Sequence, residues 1–266
     1  MKTIILCGGQ GTRMKEETEF KPKPLVFVGG KPILWHIMKI YSHHGFNDFI
    51  LALGYKGDMI KDYFLNHKAL SYDFTLNTKT GEIFFHNDDN HDDFKITFID
   101  TGLESLTGER IRRLKNHIQE DNFMVTYGDG VADIDIKDLL DFHKKKETLA
   151  TITAIKPVMR FGFLNIDHNE KKVNDFYQHK VTNYNEVDDK DDRGHINGGF
   201  MVFKRDVLDM IPENSMIESI FAPLAQKGEL SAYLHPGRWK CMDTYKEVEE
   251  MNKYWENDPF WKVWEA

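Results

Sequence analysis

Residues 4–24 read IILCGGQGTRMKEETEFKPKP, and this stretch decides the fold class. Its opening, with Thr3 before it, is a short apolar run rich in β-branched side chains that stops at Gly8-Gly9-Gln10-Gly11-Thr12-Arg13. A run that is apolar on both faces is the pattern of a fully buried parallel strand, here Thr3–Cys7. Such a strand delivers its glycine loop to the carboxyl edge of an open α/β sheet, where sheets of this kind bind ligands. Glycines let backbone N–H groups approach phosphate oxygens closely. Arg13 adds a planar fork of donors. Lys21 and Lys23, set in a proline-stiffened Lys-Pro-Lys-Pro, supply ammonium groups for a polyphosphate. The loop lacks the Gly-Lys-Ser/Thr ending of a P-loop, and its G-G-x-G-T-R spacing is not the G-x-G-x-x-G dinucleotide fingerprint. A Gly-Gly alone reads as a plain turn; the whole string favours anion binding.

Working outward, Pro32–His44 has apolar residues at helical spacing, with proline at the first helical position and Gly45 as the stop. Phe49–Leu53 is a second buried strand, Asp58–Asn66 an amphipathic helix, and Phe123–Tyr127 a third strand that ends on Gly128-Asp129-Gly130. Ile136–Lys146 follows as a helix, Leu149–Ile155 as a fourth strand and Gly199–Phe203 as a fifth. The alternation predicts an α/β sheet with parallel crossovers, and the whole reading, the family resemblance given below included, is of a single α/β domain over residues 1–266 with a mixed, mainly parallel central sheet. Residues 71–95 mix polar and aromatic side chains with two acidic pairs, and are expected to form a small β-hairpin excursion with weak order at its tip. Residues 181–195 are polar and acidic, the composition of a surface loop. The tail from about residue 244 to 266 is expected to be helical. Its aromatics (Tyr245, Tyr254, Trp255, Phe260, Trp261, Trp264) would pack on the body or on another subunit.

The 266 residues carry 35 basic and 43 acidic side chains, a net charge of −8, with 41% hydrophobic residues. This excludes collagenous, disulfide-framework and wholly disordered chains. It also argues against a protein whose main partner is nucleic acid, because such domains carry a basic face. Two cysteines, Cys7 and Cys241, make no disulfide scaffold and suit a reducing, cytoplasmic setting. The apolar N-terminal run is too short for a signal-peptide core, and no stretch reaches the roughly 18 apolar residues of a membrane span.

Further motifs follow the first in order. They are Gly29-Gly30-Lys31-Pro32-Ile33-Leu34-Trp35-His36, Gly54-Tyr55-Lys56-Gly57, Asp100-Thr101-Gly102, Tyr127-Gly128-Asp129-Gly130-Val131-Ala132-Asp133, Arg160-Phe161-Gly162, Ile196-Asn197-Gly198-Gly199-Phe200 and Met242-Asp243-Thr244. With the opening G-G-x-G-T-R and K-P-K-P they span nearly the whole chain. In them the sequence resembles the sugar-phosphate nucleotidyltransferases, and in particular the cytidylyltransferases that act on glucose 1-phosphate.

The resemblance implies a Rossmann-like nucleotidyltransferase domain and a Mg²⁺-dependent reaction. CMP passes from CTP to a phosphorylated acceptor, and pyrophosphate is released. The first acceptor it implies is glucose 1-phosphate, giving CDP-glucose for polysaccharide biosynthesis in the cytoplasm, by a homo-oligomer with no membrane or nucleic-acid partner. Arg13, Lys23 and Asp129 would be catalytic. Leu6, Cys7, Gly8, Gly9, Gly11, Thr12, Arg13, Lys23, Thr101, Thr107 and Gly128 would bind nucleotide. Asp129 and Asp243 would hold the metal. Arg160, Gly162, His179, Asn197 and Gly198 would contact the acceptor. Asp133 and Asp135 read as helix-start or solvent residues.

One motif departs from the family. Where relatives have Phe-x-Glu-Lys-Pro, with the glutamate on the sugar and the lysine on the acceptor phosphate, this chain has Phe176-Tyr177-Gln178-His179-Lys180. An amide forms no charge-assisted bond to sugar hydroxyls, and histidine, with an ordinary pKa near 6.5, is only partly charged at neutral pH. Two alternatives follow. One keeps the chemistry on a polyol phosphate or another small non-glucose phosphate; the other is a nucleotide-sensing regulatory subunit. Retention of Arg13, Lys23, Asp129 and Asp243 together argues against the second.

Overall fold

The computed structural model describes residues 1–14, 18–86, 92–156, 163–167, 170–177 and 194–264. Strand β1 (Lys2–Cys7) is central because its side chains are apolar on both faces: Ile5 and Cys7 enter one core, Ile4 and Leu6 the other. It pairs in parallel with β4 (Asp48–Leu53) on one side and β8 (Asn122–Tyr127) on the other. The full sheet runs β14 (Leu230–Leu234), β10 (Ala150–Ile155), β13 (Ile196–Lys204), β8, β1, β4, β7 (Lys95–Asp100). Of these seven, β13 runs against the rest. The sheet is therefore mixed and mainly parallel, as the sequence predicts.

Helices α1 (Ile33–His43), α2 (Gly57–Ser71), α4 (Ile136–Lys146) and α6 (Tyr245–Asn257) share one core. Helices α3 (Thr107–Arg113) and α5 (Phe221–Gln226) cover the opposite face. From β1 the chain moves outward to β4 and β7, then returns to β8 on the other flank of β1. That reversal puts a crevice beyond the carboxyl ends of β1 and β8, the topological switch point of the sheet.

Two short ladders matter for the site. β2 (Phe27–Val28) pairs with β3 (Lys31–Pro32) just before α1. β9 (Gly130–Ala132) pairs with β15 (Trp239–Cys241), and thereby ties the segment after β8 to the start of the C-terminal tail. The expected excursion is present as the hairpin β5 (Phe74–Leu76) and β6 (Ile83–Phe85), whose turn is closed by the Asn77 carboxamide accepting from the Lys79 and Thr80 amides. A further antiparallel pair, β11 (Phe163–Asp167) and β12 (Lys172–Tyr177), lies in the expected acceptor half.

Several boundaries differ from the expectation. Pro32 is the cap that precedes α1 rather than its first residue. Helix α2 runs on past Asn66 to Ser71. Strand β13 starts at Ile196, before the two glycines, because the β10–β13 register shifts at this point and Gly199 adopts φ +86° to follow it. Asp135 caps α4, its carboxylate accepting from the Lys137 and Asp138 amides, as its position before an amphipathic run suggests. Residues 181–193 lie outside the described residues.

The aromatic tail packs on the chain's own body. Thr244 and Glu247 form a capping box that starts α6, and beyond it Phe260, Trp261 and Trp264 are buried. Four tryptophan rings (Trp35, Trp255, Trp261, Trp264) surround His36 at centroid distances of 4.7–6.2 Å. The Trp261 Nε1–H donates to His36 Nδ1 at 3.2 Å, so the ring's proton sits on Nε2 and donates to Val28 O at 2.8 Å. Burial lowers the His36 pKa to about 4.

Unfolding restores an ordinary histidine, so protons bind the unfolded chain first as pH falls. The stability His36 supports is present above about pH 6.5 and is lost between there and pH 4, by about 3 kcal/mol in all. Buried His143, also lowered to about 4, acts with the same sign. In urea titrations from pH 7 to 4, His36→Phe should be less stable at pH 7 yet lose less on acidification than wild type. Parallel pH profiles would exclude His36 as a source of the dependence.

Candidate active site

The cleft beyond β1 and β8 has a volume of about 350 Å³. Its floor comes from the loop after β1. Gly11, at φ +62°, turns the chain so tightly that a Cβ there would stand 2.7 Å from Thr18 Cγ2, and the Met14 amide closes the turn on Gly11 O at 2.9 Å. Pro22 and Pro24 bracket Lys23 in a single 3₁₀ turn, Lys23–Leu25, that points the lysine inward. Asp129 follows β8 after Gly128. Asp243 reaches it through the β9–β15 ladder, where Gly130 is opposite Cys241 and the Met242 amide donates to Asp129 O at 3.0 Å. The Glu247 carboxylate of the capping box accepts from the backbone amides of Asp243 and Thr244, which fixes that corner.

The charged groups converge. Lys23 Nζ donates to Asp129 Oδ2 at 2.6 Å and to Asp243 Oδ1 at 2.7 Å, while Arg13 donates from NH1 to Asp243 Oδ2 at 2.7 Å. Burial works against the charge on Lys23, but the two carboxylates outweigh it and hold its pKa above the ordinary lysine value. For Asp243, burial is likewise outweighed by Lys23 and Arg13, and its pKa lies below the usual carboxylate range. Both thiols are neutral: burial pushes Cys7 far up, and burial with Asp243 and Asp129 nearby pushes Cys241 up to about 12. Neither cysteine is a nucleophile at neutral pH.

Ten sequence-predicted nucleotide residues line the cleft: Leu6, Cys7, Gly8, Gly9, Gly11, Thr12, Arg13, Lys23, Thr107 and Gly128. Asp129 and Asp243 line it with them. Gly128 is there because a side chain would collide: a Cβ would lie 2.8 Å from Leu6 O. Thr101 is not a lining residue. It is fully buried, and its hydroxyl donates to Leu53 O at 2.6 Å and accepts from Arg110 at 2.8 Å. Lys21 lies 5.7 Å from the Phe27 ring centroid and does not border the cleft. Asn197 and Gly198 open β13 at the same sheet edge, where Asn197 Oδ1 accepts from the Gly199 amide and Gly198 O accepts from Trp239 Nε1 at 2.7 Å. Arg160, Gly162, Gln178, His179 and Lys180 lie outside the described residues.

Six lining residues stand outside the sequence-predicted site set, Pro24, Ser105, Leu106, Arg110, Tyr127 and Met216, and the last three make contacts that shape the cleft. Arg110 is buried behind the glycine loop, where NH1 donates to Leu53 O, Thr101 Oγ1 and Gly102 O, and NH2 to Gly8 O and Leu103 O, at 2.7–3.2 Å. It thus ties together the carboxyl ends of β1, β4 and β7. Tyr127 lines the cleft with its hydroxyl on Glu218 and its ring against Gly199, where a Cβ would stand 2.7 Å away. Met216 forms the wall opposite, held because Thr107 Oγ1 accepts from the Ile217 amide at 2.9 Å. Glu109 points away from the cleft. Its carboxylate accepts from Arg112 at 2.7 Å and Arg113 at 2.8 Å, which lower its pKa to about 2 against the opposing effect of burial.

Among the described residues no three His, Cys, Asp or Glu side chains gather as a metal site, so the acidic donor set is the pair Asp129 and Asp243. No described helix is long and apolar enough to cross a membrane.

A strand–glycine-loop anion cradle with two basic and two acidic side chains at a switch point suits phosphoryl chemistry on a nucleotide. Comparison with known proteins agrees. The pattern of the nucleotidyl transferase family matches residues 2–257. The chain belongs to the nucleotidyl transferase family. This nucleotidyltransferase is 44% identical over 268 residues to a probable glucose-1-phosphate cytidylyltransferase of Bacillus subtilis, covering 99% of this chain and 100% of the relative. It is 43% identical over 269 residues to the glucose-1-phosphate cytidylyltransferase of Salmonella typhi, covering 100% of both. Among solved structures, HddC from Yersinia pseudotuberculosis complexed with GMP-PN shares the fold at TM-score 0.66 and 23% identity, over 96% of this nucleotidyltransferase and 99% of that chain. A putative glucose-1-phosphate thymidylyltransferase from Bacillus anthracis shares it at TM-score 0.68 and 17% identity, over 97% and 96%.

Proposed function

We propose that this nucleotidyltransferase transfers CMP from CTP to the phosphate of glucose 1-phosphate, releasing pyrophosphate and forming CDP-glucose. The observation that carries the reading is the 43–44% identity, over whole chains, to proteins named for that activity. The local chemistry agrees with it. An acceptor phosphate oxygen attacks the α-phosphorus of CTP. The new P–O bond forms as the bond from the α-phosphorus to the bridging oxygen breaks, and that electron pair leaves with pyrophosphate. The nucleophile is already anionic and needs no strong base. The protein's task is to bring two repelling anions together and to neutralise charge on the α-phosphate and the leaving group. Arg13 and Lys23 do this from the glycine-loop side, where the backbone N–H groups of the loop would add donors to the phosphates.

Asp129 and Asp243 would hold a divalent cation, for which Mg²⁺ is the assignment. They fit it: their oxygens converge within 2.6–2.7 Å of one ammonium, a cation that already spans both. Mg²⁺ characteristically takes one or two carboxylates and completes its shell with water and phosphate oxygens. When bound it would supply charge neutralisation between acceptor and triphosphate oxygens.

The Gln178-His179 replacement favours a second acceptor class, polyol or other non-glucose phosphates. Both readings are tested by pyrophosphate release with Mg²⁺ and CTP against glucose 1-phosphate, other hexose 1-phosphates, and glycerol and ribitol phosphates, with UTP as control. Turnover should be at least about tenfold better with glucose 1-phosphate than with any polyol phosphate, a difference of about 1.4 kcal/mol in transition-state binding. The opposite ranking would assign a different CDP conjugate. No turnover with any acceptor would favour a regulatory subunit.

A further inference from the structure

Lys23 stands between two partners that compete for it. Its ammonium fills the gap between Asp129 and Asp243, at 2.6 and 2.7 Å, yet the same ammonium borders the cleft in which triphosphate oxygens would lie. Arg13 is divided in the same way, with NH1 on Asp243 Oδ2 at 2.7 Å and its side chain three-quarters exposed to the cleft mouth. One ammonium cannot neutralise the carboxylate pair and the phosphates at once.

We infer that Lys23 is a tethered cation that keeps Asp129 and Asp243 closed to a divalent metal until a nucleoside triphosphate draws it away. This rests on the assignment of the two aspartates as the metal-holding pair. The physical argument has three parts. Two carboxylates aimed at one point repel each other, and a cation between them relieves that repulsion. A divalent ion that arrives alone must displace the ammonium, whose side chain is only 13% exposed and whose ion-pair partners among the described residues are these two carboxylates. A triphosphate provides that anion: Lys23 and Arg13 exchange carboxylate oxygens for phosphate oxygens, and the carboxylates become available. Metal and triphosphate therefore bind with positive coupling, and by linkage each raises the affinity of the other by the same factor. The nucleotide-free protein holds metal weakly, and the site assembles when both are present.

The test titrates nucleotide-free protein with Mn²⁺, reading free ion by electron paramagnetic resonance. The proteins are wild type, Lys23→Met, Lys23→Gln, Asp129→Asn/Asp243→Asn, and Lys23→Met with both Asn substitutions. Urea unfolding checks that each is folded. Lys23→Met and Lys23→Gln should bind Mn²⁺ at least about tenfold more tightly than wild type, about 1.4 kcal/mol, and the gain should vanish when both aspartates are replaced. If neither lysine variant binds more tightly, while the Asn pair abolishes binding in the wild-type background, the tethered-cation role is wrong and the aspartate site stands. If Lys23→Met binds Mn²⁺ equally well with and without the two aspartates, the metal assignment fails, and this inference with it.

Discussion

Asp129→Ala is expected to lower kcat/KM on the order of 10³-fold with every acceptor, while the protein remains folded. The size follows from what the carboxylate does at the centre of the site. In the proposed reaction it is one of two acidic groups that would orient the basic and metal charges around the α-phosphate, and single groups that stabilise developing charge are worth about 10²–10³ in rate. Replacing it removes a proposed metal contact and leaves Asp243 as the single carboxylate on Lys23. The stability cost should be small. Asp129 and Lys23 form a partly exposed pair, Lys23 keeps its second partner, and exposed or half-exposed pairs contribute about 1 kcal/mol or less. The repulsion between Asp129 and Asp243 is also relieved. Steady-state kinetics with saturating CTP, beside a urea titration, separates the two effects. A variant that turns over within a few fold of wild type would remove Asp129 from the reaction centre. A variant that loses activity only because it is unfolded would show it in the urea midpoint.

Much of this site was legible because its pieces sit on strands buried on both faces. β1, β4 and β8 read as continuous apolar runs, and the residues just past their ends are marked by glycine: Gly8, Gly54 and Gly128. The edge strands were not legible. β7 (KITFID) and β14 (LSAYL) are half exposed and mix polar with apolar residues, so no single run declares them. The β9–β15 ladder is only three residues deep, and nothing local says that Cys241 pairs with Gly130. Asp129 and Asp243 could be joined in advance only through family resemblance; geometry alone needed the fold.

The part that Arg110 plays across the strand ends was hidden for a different reason. It is one of three arginines in TGERIRR, and a basic amphipathic helix gives no sign of which arginine turns inward. The available signal was indirect: two adjacent parallel strands, β1 and β4, each run into glycine, as they must if a bulky group lies across both ends. Thr101 is the complementary case. Its motif resembles a nucleotide contact, but its hydroxyl is consumed by Leu53 O and Arg110.

That buried arginine gives the second large effect. Gly8→Ala is expected to destabilise the protein by about 3 kcal/mol or more, because the new methyl would stand 2.2 Å from Arg110 Cζ and NH1, and no rotamer of alanine avoids it. Gly8 does not have positive φ, so backbone strain is not the cause; the collision is. Arg110 must move, and its movement takes the buried guanidinium off its acceptors and withdraws its donors from Gly102 O and Leu103 O, while Gly8 O keeps the Tyr55 amide and Leu53 O keeps the Thr101 amide and hydroxyl. Overpacking costs about 1–3 kcal/mol, and each buried polar group left unpaired adds about 1–3. Arg110→Ala should be comparably destabilising on its own, since it abandons the same acceptors. The decisive measurement is the double mutant. With the guanidinium gone there is nothing for the methyl to strike, so Gly8→Ala in the Arg110→Ala background should cost under about 1 kcal/mol, a coupling of roughly 2 kcal/mol or more between contacting sites. Equal costs in both backgrounds would mean that Gly8 is required for some reason other than Arg110. Gly54→Ala offers an independent repeat from the neighbouring strand, its Cβ meeting Arg110 NH1 at 2.5 Å. It should show the same dependence on the arginine, because one side chain lies across both strand ends and holds the floor of the cleft in place.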